Sequence, residues 1–181
     1  MHNLEDIIRK CKKGDKKSQK QLYEIYSPVL YGICLRYAKT EAEAQDMLQE
    51  GFIKILTKIS HYTGQGSFEG WMRRIIVNTS ITAYHKNKKH NQNYDITNIQ
   101  EVEIKGSNHY SDDYTTEELL NVIKTLPPGY KMVFNMYAIE GYRHKEIAEK
   151  LEINENTSKS QYSRAKKLIQ KKLKELSKIK I

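Results

Sequence analysis

Cysteine is nearly absent: two in 181 residues, Cys11 and Cys34, each among apolar residues at helical spacing. Two isolated thiols build neither a disulfide framework nor a zinc site, so both are expected as small core residues. Proline and glycine are also scarce, three and nine residues, which leaves long uninterrupted segments that favour helix. No apolar run approaches the roughly 18 residues of a membrane span. The opening "MHNLEDIIRK" lacks the basic-then-apolar order of an export signal, so the expected compartment is the cytoplasm. Acids are outnumbered, 22 against 31 lysines and arginines, and the net charge of +9 points to a polyanionic partner.

The pattern predicts an all-α chain of two small helical domains joined by an irregular linker, over 1–90, 91–114 and 115–181. Asn3 can cap a helix with Leu4, Ile7, Ile8 and Cys11 on one face, stopped by Gly14. Asp15 can cap the next, with Leu22, Ile25 and Tyr26 inward. Ser27-Pro28 reads as a cap and first-turn proline that restart a helix through Val29, Leu30, Ile33 and Tyr37. Thr40 and Glu43 suit a capping box, and Ser67 suits the cap of a helix with Phe68, Trp71, Met72, Ile75, Ile76 and Thr79 inward. From Lys88 to about Tyr114 the periodicity fades. Between Asp95 and Glu118, seven acids stand against one lysine, a net of −6 in a basic protein. Beyond it, one helix carries Leu119, Leu120, Ile123 and Leu126 and ends at Pro127-Pro128-Gly129. Another runs from Tyr130 to Ile139, with Val133, Phe134 and Tyr137, and stops at Gly141.

The strongest local pattern is "HKEIAEKLEINENTSKSQYSRAKKLIQKKL". Ile147, Ala148 and Leu151 mark a short bracing helix, Ile153 closes a turn, and Asn154 can cap a second helix. This is the arithmetic of a helix-turn-helix, whose second helix enters the major groove. Thr157, Ser158, Ser160, Gln161 and Arg164 are expected outward, with Tyr162, Ala165 and Leu168 inward. Gln161 and Arg164 suit base edges; the hydroxyls and Lys159 suit phosphates or bases. From Arg143 to Ile181, twelve basic residues face five acids, a net of +7. Glu152 and Asn156 occupy positions where glycine would turn more easily.

Two other surfaces stand out. From Thr40 to Ile53 there are four acids, Glu41, Glu43, Asp46 and Glu50, and no lysine or arginine. Helix-dipole compensation explains the first two but not Glu50, beyond the first turn. Such a face would repel DNA and suits a basic protein partner. The loop from His61 to Ser67, with Tyr62, Gln65 and two glycines, could hold an unstacked base; Arg74, Asn78 and His85 lie near multiples of a turn apart. Asn78 offers a donor and an acceptor, as a base reader needs. Trp71, the single tryptophan, is expected to anchor the core.

At these residues the sequence resembles the extracytoplasmic-function group of bacterial RNA polymerase sigma factors. "LYEIYSPVLYGICLRY", "AEAQDMLQEGFIKIL" and "GSFEGWMRRIIVNT" resemble conserved region 2, and "LPPGYKMVFNMYAIEGYRHKEIAEKLEINENTSKSQYSRAKKLI" resembles region 4. The resemblance implies that Asp46, Leu48, Gln49 and Glu50 grip the clamp coiled coil of the polymerase largest subunit. It implies that the loop through His61, Tyr62, Gln65, Ser67 and Phe68 captures a flipped base of the −10 element, with Arg73, Arg74 and Asn78 reading and holding that element. Thr157, Ser158, Lys159, Ser160, Gln161, Arg164 and Lys167 correspond to the −35 recognition helix. The acidic linker resembles the segment that threads the polymerase's RNA path. The implied partners are core RNA polymerase, promoter DNA and an anti-sigma protein, often membrane-linked. No catalytic residue, cofactor, metal or small-molecule substrate is expected. From the residues alone two alternatives stay open: a conventional helix-turn-helix regulator with an N-terminal dimerisation or sensor domain, and a nucleic-acid-processing enzyme.

Overall fold

A computed structural model of the chain describes residues 4–90 and 114–179. Most of the segment read as an acidic linker lies outside the described residues, as does the Asn3 cap. The described residues form eight α-helices and no strand. They divide into two compact units, Met1–Ala83 and Tyr84–Ile181. None of the described helices is long and apolar enough to cross a membrane.

In the first unit, α1 (Leu4–Lys12) buries Ile7 and Cys11 and ends at a turn where Gly14 takes a φ of 82°. The Asp15 carboxylate then accepts the Ser18 N–H at 2.8 Å and starts α2 (Lys16–Tyr37). Pro28 does not restart this helix, contrary to expectation; α2 runs straight through it. Proline lacks the N–H that would meet the Glu24 carbonyl, but both residues face solvent, where water can take the orphaned acceptor. The buried stripe of Leu22, Leu30, Ile33 and Cys34 continues on either side of the proline, so packing outweighs the lost bond. Ile25 and Val29, expected inward, lie beside Pro28 on the outer side, 50% and 47% exposed. Both cysteines are free and buried, and burial pushes the Cys34 thiol up to about 12.

Thr40 caps α3 (Glu41–Lys58), its hydroxyl accepting from Glu43 N–H at 3.1 Å. The Glu43 carboxylate accepts the Lys39 N–H at 2.7 Å, one residue earlier than a capping box requires. A 3-10 turn, Ile59–His61, and an open loop lead to α4 (Phe68–His90). As expected, Ser67 caps α4, its Oγ accepting from Gly70 N–H at 3.0 Å. Helices α3 and α4 run antiparallel, with Gly51 against Ile76 and Met47 near Ser80. A Cβ at Gly51 would fall inside contact distance of Cδ1 of the fully buried Ile76.

In the second unit, Thr115 and Glu118 form a reciprocal capping box that starts α5 (Thr116–Lys124). Val122 and Ile123 are its buried residues, while Leu119 is exposed, one position off the expected phase. Pro128 opens α6 (Pro128–Phe134) rather than merely ending the previous helix, because its missing N–H is not needed at a first helical position. A π-helical turn, Asn135–Ile139, follows and widens the spiral, so Tyr137 turns outward instead of into the core. Helices α7 (His144–Leu151) and α8 (Glu155–Ile179) complete the unit. Helices α5, α6 and α7 all pack against α8, around Leu126, Tyr130 and Ala165 on one side and Ile147 and Leu151 on the other.

The glycine contrast is testable by urea unfolding. Gly51→Val overfills the α3–α4 crossing and is expected to cost about 2–3 kcal/mol. Gly32→Ala, where an added Cβ meets nothing within 4 Å, is expected to gain about 0.5–1 kcal/mol from helix propensity.

Candidate functional site

The outward face of α3 is acidic. Ala42, Gln45, Asp46, Gln49, Glu50 and Ile53 are exposed at spacings of three and four, opposite the buried Met47, Phe52 and Ile55. Leu48 does not belong to this face: it is 6% exposed and packs inward, because it sits one turn after Ala44 and one before Phe52. The apolar residue the face does present is Ile53, 61% exposed, which sequence reasoning passed over. Lys54 Nζ lies 2.6 Å from Glu50 Oε1 and donates to Thr79 Oγ1 on α4 at 3.3 Å. Part of the Glu50 charge is thereby answered within the fold; Gln45, Asp46 and Gln49 keep an unobstructed polar edge.

The loop before α4 is a closed ring. Tyr62 Oη donates to the Gly66 carbonyl at 2.8 Å, and Gly64 and Gly66 take φ of 84° and 75°, a region side chains resist. His61, Thr63, Gln65 and Ser67 are exposed around it. Phe68 is buried and sits beneath the ring, 4.9 Å from the Tyr62 ring and stacked on Trp71 at 5.5 Å. Its place in the expected base-capturing set is therefore that of a support rather than a contact. Trp71 is half-buried in the same aromatic group. Along α4, Arg74, Asn78 and Thr82 are exposed four residues apart, Arg73 is half-buried beside them, and His85 is half-buried.

The second unit builds the helix-turn-helix. Glu152 takes the left-handed conformation, φ 55° and ψ 48°, where the sequence would favour glycine, and Ile153 N–H closes the turn on the Ala148 carbonyl at 3.0 Å. Asn154 Oδ1 accepts from Asn156 N–H at 2.8 Å and caps α8. Asn156 itself lies inside α8 without a positive φ, so no glycine is needed there.

The inward stripe of α8 is the expected one, Tyr162, Ala165 and Leu168, but it takes in more residues than expected. Ser158 is fully buried and lies 2.9 Å from His144 Nδ1, because it falls one turn before Tyr162 on the inward stripe. Gln161 is half-buried, its amide pressed against Gly129, where an added Cβ would lie 3.2 Å from Nε2, and its Oε1 has no hydrogen-bond partner. Thr157 is half-buried; Lys159, Ser160, Arg164 and Lys167 are exposed as expected. Asn156, Ser163 and Lys166, not expected as part of this face, are exposed beside them. Lys159 is ion-paired with Glu155 at 2.7 Å, and that pairing holds the Glu155 carboxyl below its usual range. Among the described residues no group of three or more His, Cys, Asp or Glu could hold a metal ion.

With both surfaces in place, comparison with known proteins is decisive. A family model for Sigma-70 region 2 matches residues 22–90, and one for Sigma-70, region 4 matches residues 116–169. The chain belongs to the sigma-70 family. Relatives span it almost end to end. The ECF RNA polymerase sigma factor SigW of Bacillus subtilis is 28% identical, covering 93% of this chain and 96% of its own. The ECF RNA polymerase sigma-E factor of Haemophilus influenzae is 26% identical, covering 94% and 95%. A co-crystal structure of the sigma factor RpoE with the anti-sigma factor NepR from Bartonella quintana shares the fold, with a TM-score of 0.52 at 21% identity over 86% of this chain and 96% of that one. This sigma-70 chain falls in the extracytoplasmic-function group, and its role is promoter recognition in transcription initiation. Its region 2 match begins at Leu22, so α1 lies outside it.

One titrating group braces region 4. His144 stacks on Tyr137 at 4.2 Å, meets Ser158 and lies edge-on to Tyr162 at 5.9 Å. Burial, then the Lys159 charge, lower its pKa against the opposing pull of Glu155, so the fold favours the neutral ring. An unfolded histidine titrates near about 6.5. The stabilisation is therefore complete above that value and is lost as pH falls through the lower folded value. Between about pH 7 and pH 5, the thermal midpoint of the wild-type second unit is expected to fall more than that of His144→Gln, measured by circular dichroism.

Proposed function

We propose that this sigma factor holds core RNA polymerase through the acidic face of α3, reads a −35 duplex with α8, and stabilises a melted −10 strand with the 61–67 loop and α4. The observation that carries this reading is the segregation of charge. Asp46 and Glu50 stand on one outward face of the first unit, while Lys159, Arg164, Lys166 and Lys167 line the outward side of α8. A single polyanion cannot favour both faces; a basic protein surface and a nucleic acid together can. In this reading residues 1–90 act as region 2, 91–114 as an acidic linker, and 115–181 as region 4.

Asp46, Gln49 and Glu50 carry core binding, with Ile53 as the apolar contact that buried Leu48 cannot make. Asn78 and Arg74 read and hold the −10 strand beside His61, Gln65 and Ser67; Arg73 backs them. On α8, Arg164 is suited to a guanine edge, and Lys159, Ser160 and Lys167 to phosphates or nearby bases. Arg164 Nη1 lies 3.5 Å from Tyr130 Oη, which steers the guanidinium without consuming its other donors. The chain itself does no catalysis; bond formation belongs to the polymerase. It acts in the cytoplasm, where an anti-sigma protein that covers these faces would hold it inactive.

Two substitutions separate the surfaces. Asp46→Lys is expected to weaken binding to purified core polymerase by about 1 kcal/mol or more, with the melting curve unchanged. Unaltered core affinity would remove α3 from the interface. Arg164→Ala is expected to cost about 1–3 kcal/mol at one −35 base pair, measured across a set of point-mutated promoters. A uniform loss on every sequence would make it a phosphate contact.

A further inference from the structure

We infer that Lys12, on α1, is a positioning residue for the 61–67 loop, clamping Tyr62 so that the loop holds one shape. The inference rests on the −10 role proposed for that loop. Lys12 Nζ donates to the Tyr62 carbonyl at 2.7 Å across a sequence separation of 50, and stands 5.9 Å from the centre of the Tyr62 ring. Tyr62 is thus held at both ends, since its own hydroxyl reaches the Gly66 carbonyl at 2.8 Å. Its ring meets Phe68 at 4.9 Å and Trp71 at 5.6 Å, which ties the loop to the first turn of α4.

The clamp answers a definite problem. Gly64 and Gly66 both take left-handed backbone, and an added Cβ at either would meet nothing within 4 Å. No side chain packs against the open side of these two glycines, so the loop's shape depends on the bond at Gly66 and on what fixes its ends. Lys12 fixes one end from a helix that precedes the region 2 match at residue 22. Tyr62, in consequence, is the keystone of the loop rather than a free platform for a base. The outward edge left to meet a strand is Thr63, Gln65 and Ser67.

Trp71 is the single tryptophan and lies beside Tyr62, so its emission reports the clamp in the full-length protein without DNA. Lys12→Met removes the donor and keeps the chain length; Lys12→Arg keeps charge and donors; Tyr62→Phe removes only the bond to Gly66. Expected are greater acrylamide quenching of Trp71 in Lys12→Met and in Tyr62→Phe, with Lys12→Arg restored to the wild-type value. In holoenzyme, Lys12→Met is expected to bind single-stranded −10 DNA about three- to tenfold more weakly. Unchanged quenching in Lys12→Met, whatever Tyr62→Phe does, would overturn the inference. Unchanged quenching with weaker DNA binding and a salt slope reduced by about one would make Lys12 a phosphate contact instead. Should wild-type holoenzyme fail to bind the −10 strand, the proposed loop role fails, and Trp71 quenching still decides the clamp.

Discussion

The close crossing of α3 and α4 at Gly51 is the constraint on which the first unit depends. Each helix has two sides: its inner side makes the core, and its outer side carries a surface proposed to meet a different partner. Ile76 occupies the space a side chain at residue 51 would need, so the glycine lets the two helices pack at this point. Lys54 then links the faces chemistry keeps apart, bonded to Glu50 on the acidic side and to Thr79 on α4. Asp46 and Asn78 can therefore serve a protein and a nucleic acid from one rigid pair of helices, with neither surface free to drift against the other.

The second unit solves a similar problem by a different route. Its recognition helix is held by α5, α6 and α7 packing along one side, which leaves Lys159, Ser160, Ser163 and Arg164 outward. The angle between α7 and α8 comes from a single left-handed residue, Glu152, whose strain is sustained by Ile147 and Leu151 buried beneath the turn. The π-helical turn before α7 brings Tyr137 over His144, and His144 in turn holds Ser158. The proposed base-reading role of α8 needs such bracing, because a shift of an ångström is enough to misplace a base-contacting side chain.

Most of the architecture was legible in the sequence because caps and stops are local chemistry. Asp15, Thr40, Ser67 and Asn154 each cap the helix that follows. The left-handed position of Glu152 followed from spacing within the helix-turn-helix pattern. The misses share a cause: helical phase is set by three-dimensional packing, and a run such as Thr157-Ser158-Lys159-Ser160-Gln161 has no strong apolar residue to set it. Ser158 turned inward and Ser163 outward for that reason. Pro28 misled because its local rule is strong, yet an exposed position within a long buried stripe tolerates it. Leu48, implied by the resemblance to meet a partner, is buried, and Ile53, passed over, is exposed, since a motif of acidic and apolar residues does not itself say which leucine or isoleucine faces out. The clamp from Lys12 to Tyr62 was not legible at all, because no periodicity connects residues 50 positions apart.

In the proposed reading this chain works only as part of a polymerase, with two DNA-reading surfaces and one protein-gripping surface. Run-off transcription with purified chain and core RNA polymerase, on a library of genomic promoter fragments, tests it most directly. Start sites are expected only when both proteins are present, at promoters that share two separated sequence blocks upstream of those starts. Tight, specific binding of duplex DNA by the chain alone, with no initiation when core polymerase is added, would contradict it.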